Sequence, residues 1–212
     1  NIQPTIRTAT IQVSSSLNLN LIKRIEISQD AFQFDTEDES FSFKPMNFGA
    51  IVLQFSGIGA WQVVDVPDWA RVTPAGGSGN GQITIAVEDN IQPSSRTATL
   101  HIVSSENPAL QKSVTLYQEA YQFVVSPSDV SLPAALSEPV DIQVTCSGGT
   151  WSVECDADWL TVSPQTGTAS GVFSVEANAA NQTGTERTAT VRVICSQNST
   201  LTQSVQIRQS AN

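Results

Sequence analysis

The strongest constraint on this chain is that it repeats itself. Asn1-Ile-Gln-Pro-Thr-Ile-Arg7-Thr-Ala-Thr10 returns as Asn90-Ile-Gln-Pro-Ser-Ser-Arg96-Thr-Ala-Thr99, and again as Asn181-Gln-Thr-Gly-Thr-Glu-Arg187-Thr-Ala-Thr190. A second pattern occurs twice: Trp61, Trp69 and Pro74 match Trp151, Trp159 and Pro164 at one constant offset. A unit of about 90 residues copied in tandem is a modular block that buries its own core. The spacing predicts two full modules, 31–120 and 121–212, preceded by the C-terminal half of a third over residues 1–30. A domain rarely starts between its own strands, so the chain is expected to be part of a longer one.

Inside a module the hydrophobic period is two. Ala189, Val191, Val193 and Cys195 fall on one face of a run, and Ile83, Ile85 and Val87 on one face of another. Such alternation marks half-buried strands. Gly- and Pro-rich punctuation separates roughly seven of them per module, the density of a sandwich. No stretch holds a 3.6-residue period. The fold class expected is all-β, as tandem immunoglobulin-like β-sandwich modules.

Charge narrows the partners. The net charge is −10, which repels phosphate backbones and anionic membrane surfaces. Nucleic acid is not an expected partner. No apolar run is long enough to span a bilayer, so direct membrane insertion is not expected.

Catalytic chemistry is poorly supplied. The one histidine, His101, lies between Leu100 and Ile102 on a strand and should point outward. The other copies place Gln12 and Arg192 there, the pattern of a solvated face. The carboxylates of Asp35-Thr-Glu37-Asp38-Glu39 are read as a solvated acidic loop in preference to a cation loop, which would need spaced ligands and a Gly turn. No metal or cofactor is expected. The run Gly76–Gly81 has no following Lys-Ser/Thr or helix, and reads as a flexible hairpin connection.

The aromatics divide. Trp61 and Trp151 alternate in phase with Val63 and Val153, so they belong to the core. Trp69 and Trp159 should plug the sandwich end before the Pro turn. Tyr117 is different: it is out of phase with inward Val114 and Leu116, and its counterparts are Ser28 and Arg208. An unrepeated outward aromatic is a candidate ligand contact, with Phe48 a weaker second. The three cysteines, Cys146, Cys155 and Cys195, each fall in phase with an inward set. A Cys146–Cys155 bridge across one hairpin and buried free thiols are both open readings.

Taken in order, Trp151, Trp159-Leu-Thr-Val-Ser-Pro164, Gly167, Asn181, Arg187 and Gln209 resemble the signature of the BACON module (Bacteroidetes-associated carbohydrate-binding, often N-terminal). The middle copy is similar through Trp61, Trp69, Pro74, Gly76, Asn90, Arg96 and Gln118, and departs at Ala70, where the family carries a larger apolar residue. The resemblance implies an exported protein of the bacterial cell surface or periplasm, as part of a lipoprotein. It implies a non-catalytic array that binds glycans or mucin-type glycoproteins on host surfaces, mediates cell adhesion or presents another domain. The alternative it leaves is a spacer between a membrane anchor and a glycosidase or protease domain outside this chain. One more expectation concerns residues 1–30. Lacking the front-half strands that would cover Ile11, Val13, Ile25 and Ile27, the segment is expected to self-associate.

Overall fold

A computed structural model of the chain describes residues 1–18, 20–46 and 49–212. Every regular element among them is a strand. Two compact units emerge: Asn1–Ser42, Gly49–Glu88 and Thr97–Tyr117 form one, and Phe43–Phe48, Asp89–Arg96 and Gln118–Asn212 the other. This division cuts across the sequence repeat, because two segments inside the middle module, 43–48 and 89–96, group with the last one.

Residues 1–30 form a hairpin, β1 (Arg7–Ser14) and β2 (Ile22–Gln29), in a two-stranded sheet of its own. The middle module supplies β3 (Glu39–Phe43), β4 (Ala50–Phe55), β5 (Ala60–Val64), β6 (Ala70–Thr73), β7 (Gly76–Ser78), β8 (Gly81–Val87), β9 (Arg96–Ser104) and β10 (Gln111–Gln118). They make a five-stranded sheet, β3-β10-β9-β5-β7, and a three-stranded one, β4-β8-β6.

The last module supplies β11 (Phe123–Ser126), β12 (Asp129–Leu132), β13 (Val140–Cys146), β14 (Thr150–Glu154), β15 (Leu160–Ser163), β16 (Thr166–Thr168), β17 (Gly171–Ala177), β18 (Arg187–Cys195) and β19 (Thr202–Gln209). Its sheets are β11-β13-β17-β15 and β12-β19-β18-β14-β16. The chain changes sheets at Pro127: β11 runs antiparallel to β13, and β12 parallel to β19. Pro has no N–H to give a ladder, so a crossing between sheets is where it can sit.

Alternation builds the core of each module. On β18, Val191, Val193 and Cys195 are fully buried, and on β17 Phe173 and Val175 meet them from the other sheet. In the middle module Ile83, Ile85, Leu100, Ile102, Val114 and Leu116 are equally sealed. Trp61 and Trp151 lie inside, as their phase requires.

One expectation fails here. The Gly76–Gly81 run is not merely a flexible connection: Gly76–Ser78 is strand β7, paired with β5 so that Gly77 faces Trp61. A Cβ at Gly77, or at Gly167 opposite Trp151 in the last module, would run into the indole ring. These glycines let an edge strand lie against a large ring, a use of glycine that needs no mobility.

Candidate binding face

The repeated polar residues are spent on holding the fold. In the last module Asn181, fully buried, donates from Nδ2 to the carbonyls of Thr185 (2.8 Å) and Ser210 (3.0 Å). Arg187 Nε donates to Gln209 Oε1 (2.8 Å), and another guanidinium nitrogen donates to the Ala179 carbonyl (2.7 Å). Buried Gln209 donates to the Ala134 carbonyl (3.3 Å). The Arg187 guanidinium also lies 4.5 Å from the centre of the Trp159 ring. Asn, Arg, Gln and Trp thus make one clasp that ties the loop after β17 to the last strand. A buried polar group without partners is costly, so each member requires the others.

The middle module repeats the arrangement. Asn90 donates to the carbonyls of Ser94 (2.9 Å) and Glu119 (2.8 Å), Arg96 to Gln118 Oε1 (2.8 Å), and Gln118 to the Lys44 carbonyl (3.1 Å). The first copy keeps the Asn part: Asn1 donates to the carbonyls of Thr5 (3.0 Å) and Asp30 (2.7 Å). Trp69 and Trp159 are half-buried rather than sealed. In Trp159 the face that a sugar ring would use is taken by Arg187, a cation–π contact.

The acidic run is solvated only in part: Thr36, Glu37 and Asp38 are exposed, while Asp35 and Glu39 are drawn to a buried lysine. Lys112 lies in phase with inward Val114 and Leu116, and its side chain is only 1% exposed. Its ammonium meets Glu39 Oε1 at 2.9 Å, Asp35 Oδ2 at 3.3 Å and the Glu37 carbonyl at 2.5 Å. Burial works against the charge, but hydrogen bonds to Glu39 and Asp35, and their negative charges, more than offset it; the Lys112 pKa is raised. Asp38 instead accepts from the Ser113 N–H at 3.0 Å. Backbone and side-chain hydrogen bonds from Ser113 hold its carboxyl below the usual range. A buried lysine recruits carboxylates because an unpaired ammonium in the interior is far more expensive.

Tyr117 is the one exposed aromatic among the described residues, 40% accessible, near the end of β10. Phe48 lies outside the described residues. Around Tyr117 the outward residues of β10 and its neighbour β9 are mostly hydroxyl-bearing: Ser113 and Thr115 on one, Thr97 and Thr99 on the other. Thr99 and Thr115 hydroxyls stand 3.2 Å apart. His101, half-buried and outward on β9, has Nδ1 at 2.8 Å from Asp65 Oδ2. The described residues include no group of three or more His, Cys, Asp or Glu able to hold a metal ion.

All three cysteines are free. Cys146 and Cys195 are buried, whereas Cys155 is half-buried just after β14; β13 and β14 lie in different sheets, so the hairpin expected between Cys146 and Cys155 does not form. The buried pair stand about the hydroxyl of Tyr121, Cys146 Sγ at 3.0 Å and Cys195 Sγ at 3.4 Å. Sequence phase puts all three cysteines inward but does not show which two come together.

Two sandwiches with one internal clasp, and a third copy of its hairpin, define a tandem array of immunoglobulin-like modules. The model of the viral BACON domain matches residues 24–119 and 123–210, and the chain belongs to that family. No curated protein matches it at a significant level. Among solved structures it is similar to a Bacteroides ovatus GH5 xyloglucanase in complex with a XXXG heptasaccharide, at 24% identity and TM-score 0.38, over 43% of this chain and 19% of that one. It is also similar to an endo-fucoidan hydrolase from glycoside hydrolase family 107, at 10% identity and TM-score 0.35, over 99% of this chain and 34% of that one. The I9–I11 tandem of titin gives 7% identity and TM-score 0.42, over 85% of this chain and 65% of that one. The chain therefore spans well under half of either enzyme.

Proposed function

We propose that this chain is a non-catalytic adhesive array whose middle module offers the hydroxyl-lined face around Tyr117 to glycans or mucin-type glycoproteins. The observation that carries the reading is Tyr117 itself. It is an exposed aromatic that the other copies do not repeat, on a strand face lined by Ser and Thr. A flat ring gives a pyranose an apolar platform, and hydroxyl side chains supply hydrogen bonds that orient it without charge. The acidic chain favours neutral sugars over sulfated or sialylated ones, because like charges repel. The viral description of the matching family supports a setting on a virus particle facing a glycan-coated host. The exported bacterial lipoprotein is the other setting, and both place the array outside the cytoplasm.

One observation favours a second reading, a pure spacer. The residues the repeat preserves are spent on the internal clasp, so what the modules share is a structural fastening. A glycan array probed with the whole chain separates the two. The adhesive reading expects retention on a restricted set of neutral glycans, unchanged in size after incubation. Uniform absence of binding supports the spacer, and shortened glycans would show the array to be an enzyme.

A further inference from the structure

Two cysteines that sequence spacing does not pair are brought together across the last sandwich. Cys146 ends β13 in one sheet and Cys195 ends β18 in the other. Both are buried, and both reach the same oxygen, the hydroxyl of Tyr121. Trp151 stands directly opposite Cys195 in the ladder. We infer that Cys146 and Cys195 form an inter-sheet disulfide when the chain folds in an oxidising medium, and that Cys155 stays out of it.

Three features of the site support this. The first is the position: a bridge between facing sheets beside a buried Trp is a known way for an immunoglobulin-like sandwich to be pinned. The second is what hydrogen bonding would lose. Cys146 Sγ donates to the Gly148 carbonyl at 3.0 Å, and Cys195 Sγ donates to Tyr121. Gly148 also receives the Tyr121 hydroxyl, so removing both S–H groups leaves that carbonyl satisfied. Burial, with the two thiols beside it, holds the Tyr121 hydroxyl well above its usual pKa, so it remains the neutral donor to Gly148. The third is the middle module, where Gly57 stands opposite Phe34 as Cys146 stands opposite Phe123, and Ser104 stands opposite Trp61 as Cys195 stands opposite Trp151. That module folds with neither thiol, so the facing pair is particular to the last one.

The reaction is a thiol–disulfide exchange. Two S–H bonds are lost and one S–S bond forms. The two protons and two electrons pass to a small-molecule disulfide, such as oxidised glutathione, which leaves as two thiols. Both sulfurs are buried in the folded module, so exchange belongs to folding rather than to the finished structure.

The test refolds the whole chain, reduced and denatured, in a glutathione buffer rich in the oxidised form. Remaining thiols are then trapped by alkylation and the peptides mapped by mass spectrometry. The expected result is one internal link, Cys146 to Cys195, with two hydrogens lost. The last module should then unfold roughly 10 °C higher than its reduced form, because a closed loop of about 50 residues restricts the unfolded chain. Cys155→Ser should keep both the link and the shift. Cys195→Ser, which installs the residue that Ser104 provides in the middle module, should lose both. A link that includes Cys155 would overturn the inference, as would Cys146 and Cys195 both recovered alkylated. The Cys155→Ser chain has only the two inferred partners, so its mapping decides the matter even if Cys195→Ser fails to fold.

Discussion

At Trp159 two uses of an aromatic ring make opposite predictions. A sugar platform can be cut back with little loss of stability; a structural post cannot. Trp159 is half-buried with Arg187 over its ring. Trp159→Ala should therefore cost the last module about 2–3 kcal/mol, below the range for a sealed Trp because part of the ring already faces water. Denaturant titration of the variant would show it, and an unchanged midpoint would contradict the structural role of Trp159. Lys112 gives a second test, by pH. Its folded pKa is raised, so its contribution is complete below the unfolded lysine value of about 10.4 and fades as pH climbs through the folded value. Asp35→Asn with Glu39→Gln removes the partners. That pair should cost about 1–2 kcal/mol near neutrality, discounted because the carboxylates are partly solvated. The gap between variant and wild type should close at strongly alkaline pH. A gap that stays constant there would mean the lysine charge is not what the carboxylates serve. The signal for this clasp was in the sequence. Lys112 sits in phase with Val114 and Leu116, and an inward lysine demands carboxylates; the acidic run supplies them.

At the scale of an element, the hairpin β1–β2 shows how far local pairing goes without a core. Its register pairs Arg7 with Gln29, Ala9 with Ile27 and Ile11 with Ile25. Strands β18 and β19 pair Arg187 with Gln209, Ala189 with Ile207 and Val191 with Val205, the same register. The difference is cover. Val191, Val205 and Ile207 are fully buried, while Ile11, Ile25 and Ile27 are each about half exposed. An open apolar sheet face with free edges favours pairing with a second copy of the chain. Light scattering should find the 212-residue chain associating as concentration rises, and residues 31–212 remaining monomeric. Equal monomer masses for both would set the idea aside. The hairpin was legible because alternation and a polar turn are local. The strand status of Gly76–Ser78 was not, because it depends on a ring contributed by Trp61 some 15 residues earlier, and a glycine run carries no period of its own.

Over the whole molecule, repetition with alternation was enough to reach the sandwich class and its tandem order. The proposed binding face is legible only by contrast between copies, since Ser28 and Arg208 stand where the middle copy has Tyr117. The pairing of Cys146 with Cys195 was hidden because it joins two sheets, and phase alone says only that a side chain points inward. The central claim is that the clasp holds each module while binding is carried by an unrepeated residue. The most direct measurement is retention on immobilised mucin-type glycoprotein, comparing wild type with Tyr117→Ala. As a surface change, the variant should keep its unfolding midpoint to within about 0.5 kcal/mol. The account predicts that wild type is retained and that Tyr117→Ala is weakened about tenfold, the loss of roughly 1.4 kcal/mol expected for one stacking contact. Equal retention of the two proteins, or none by wild type, would contradict it.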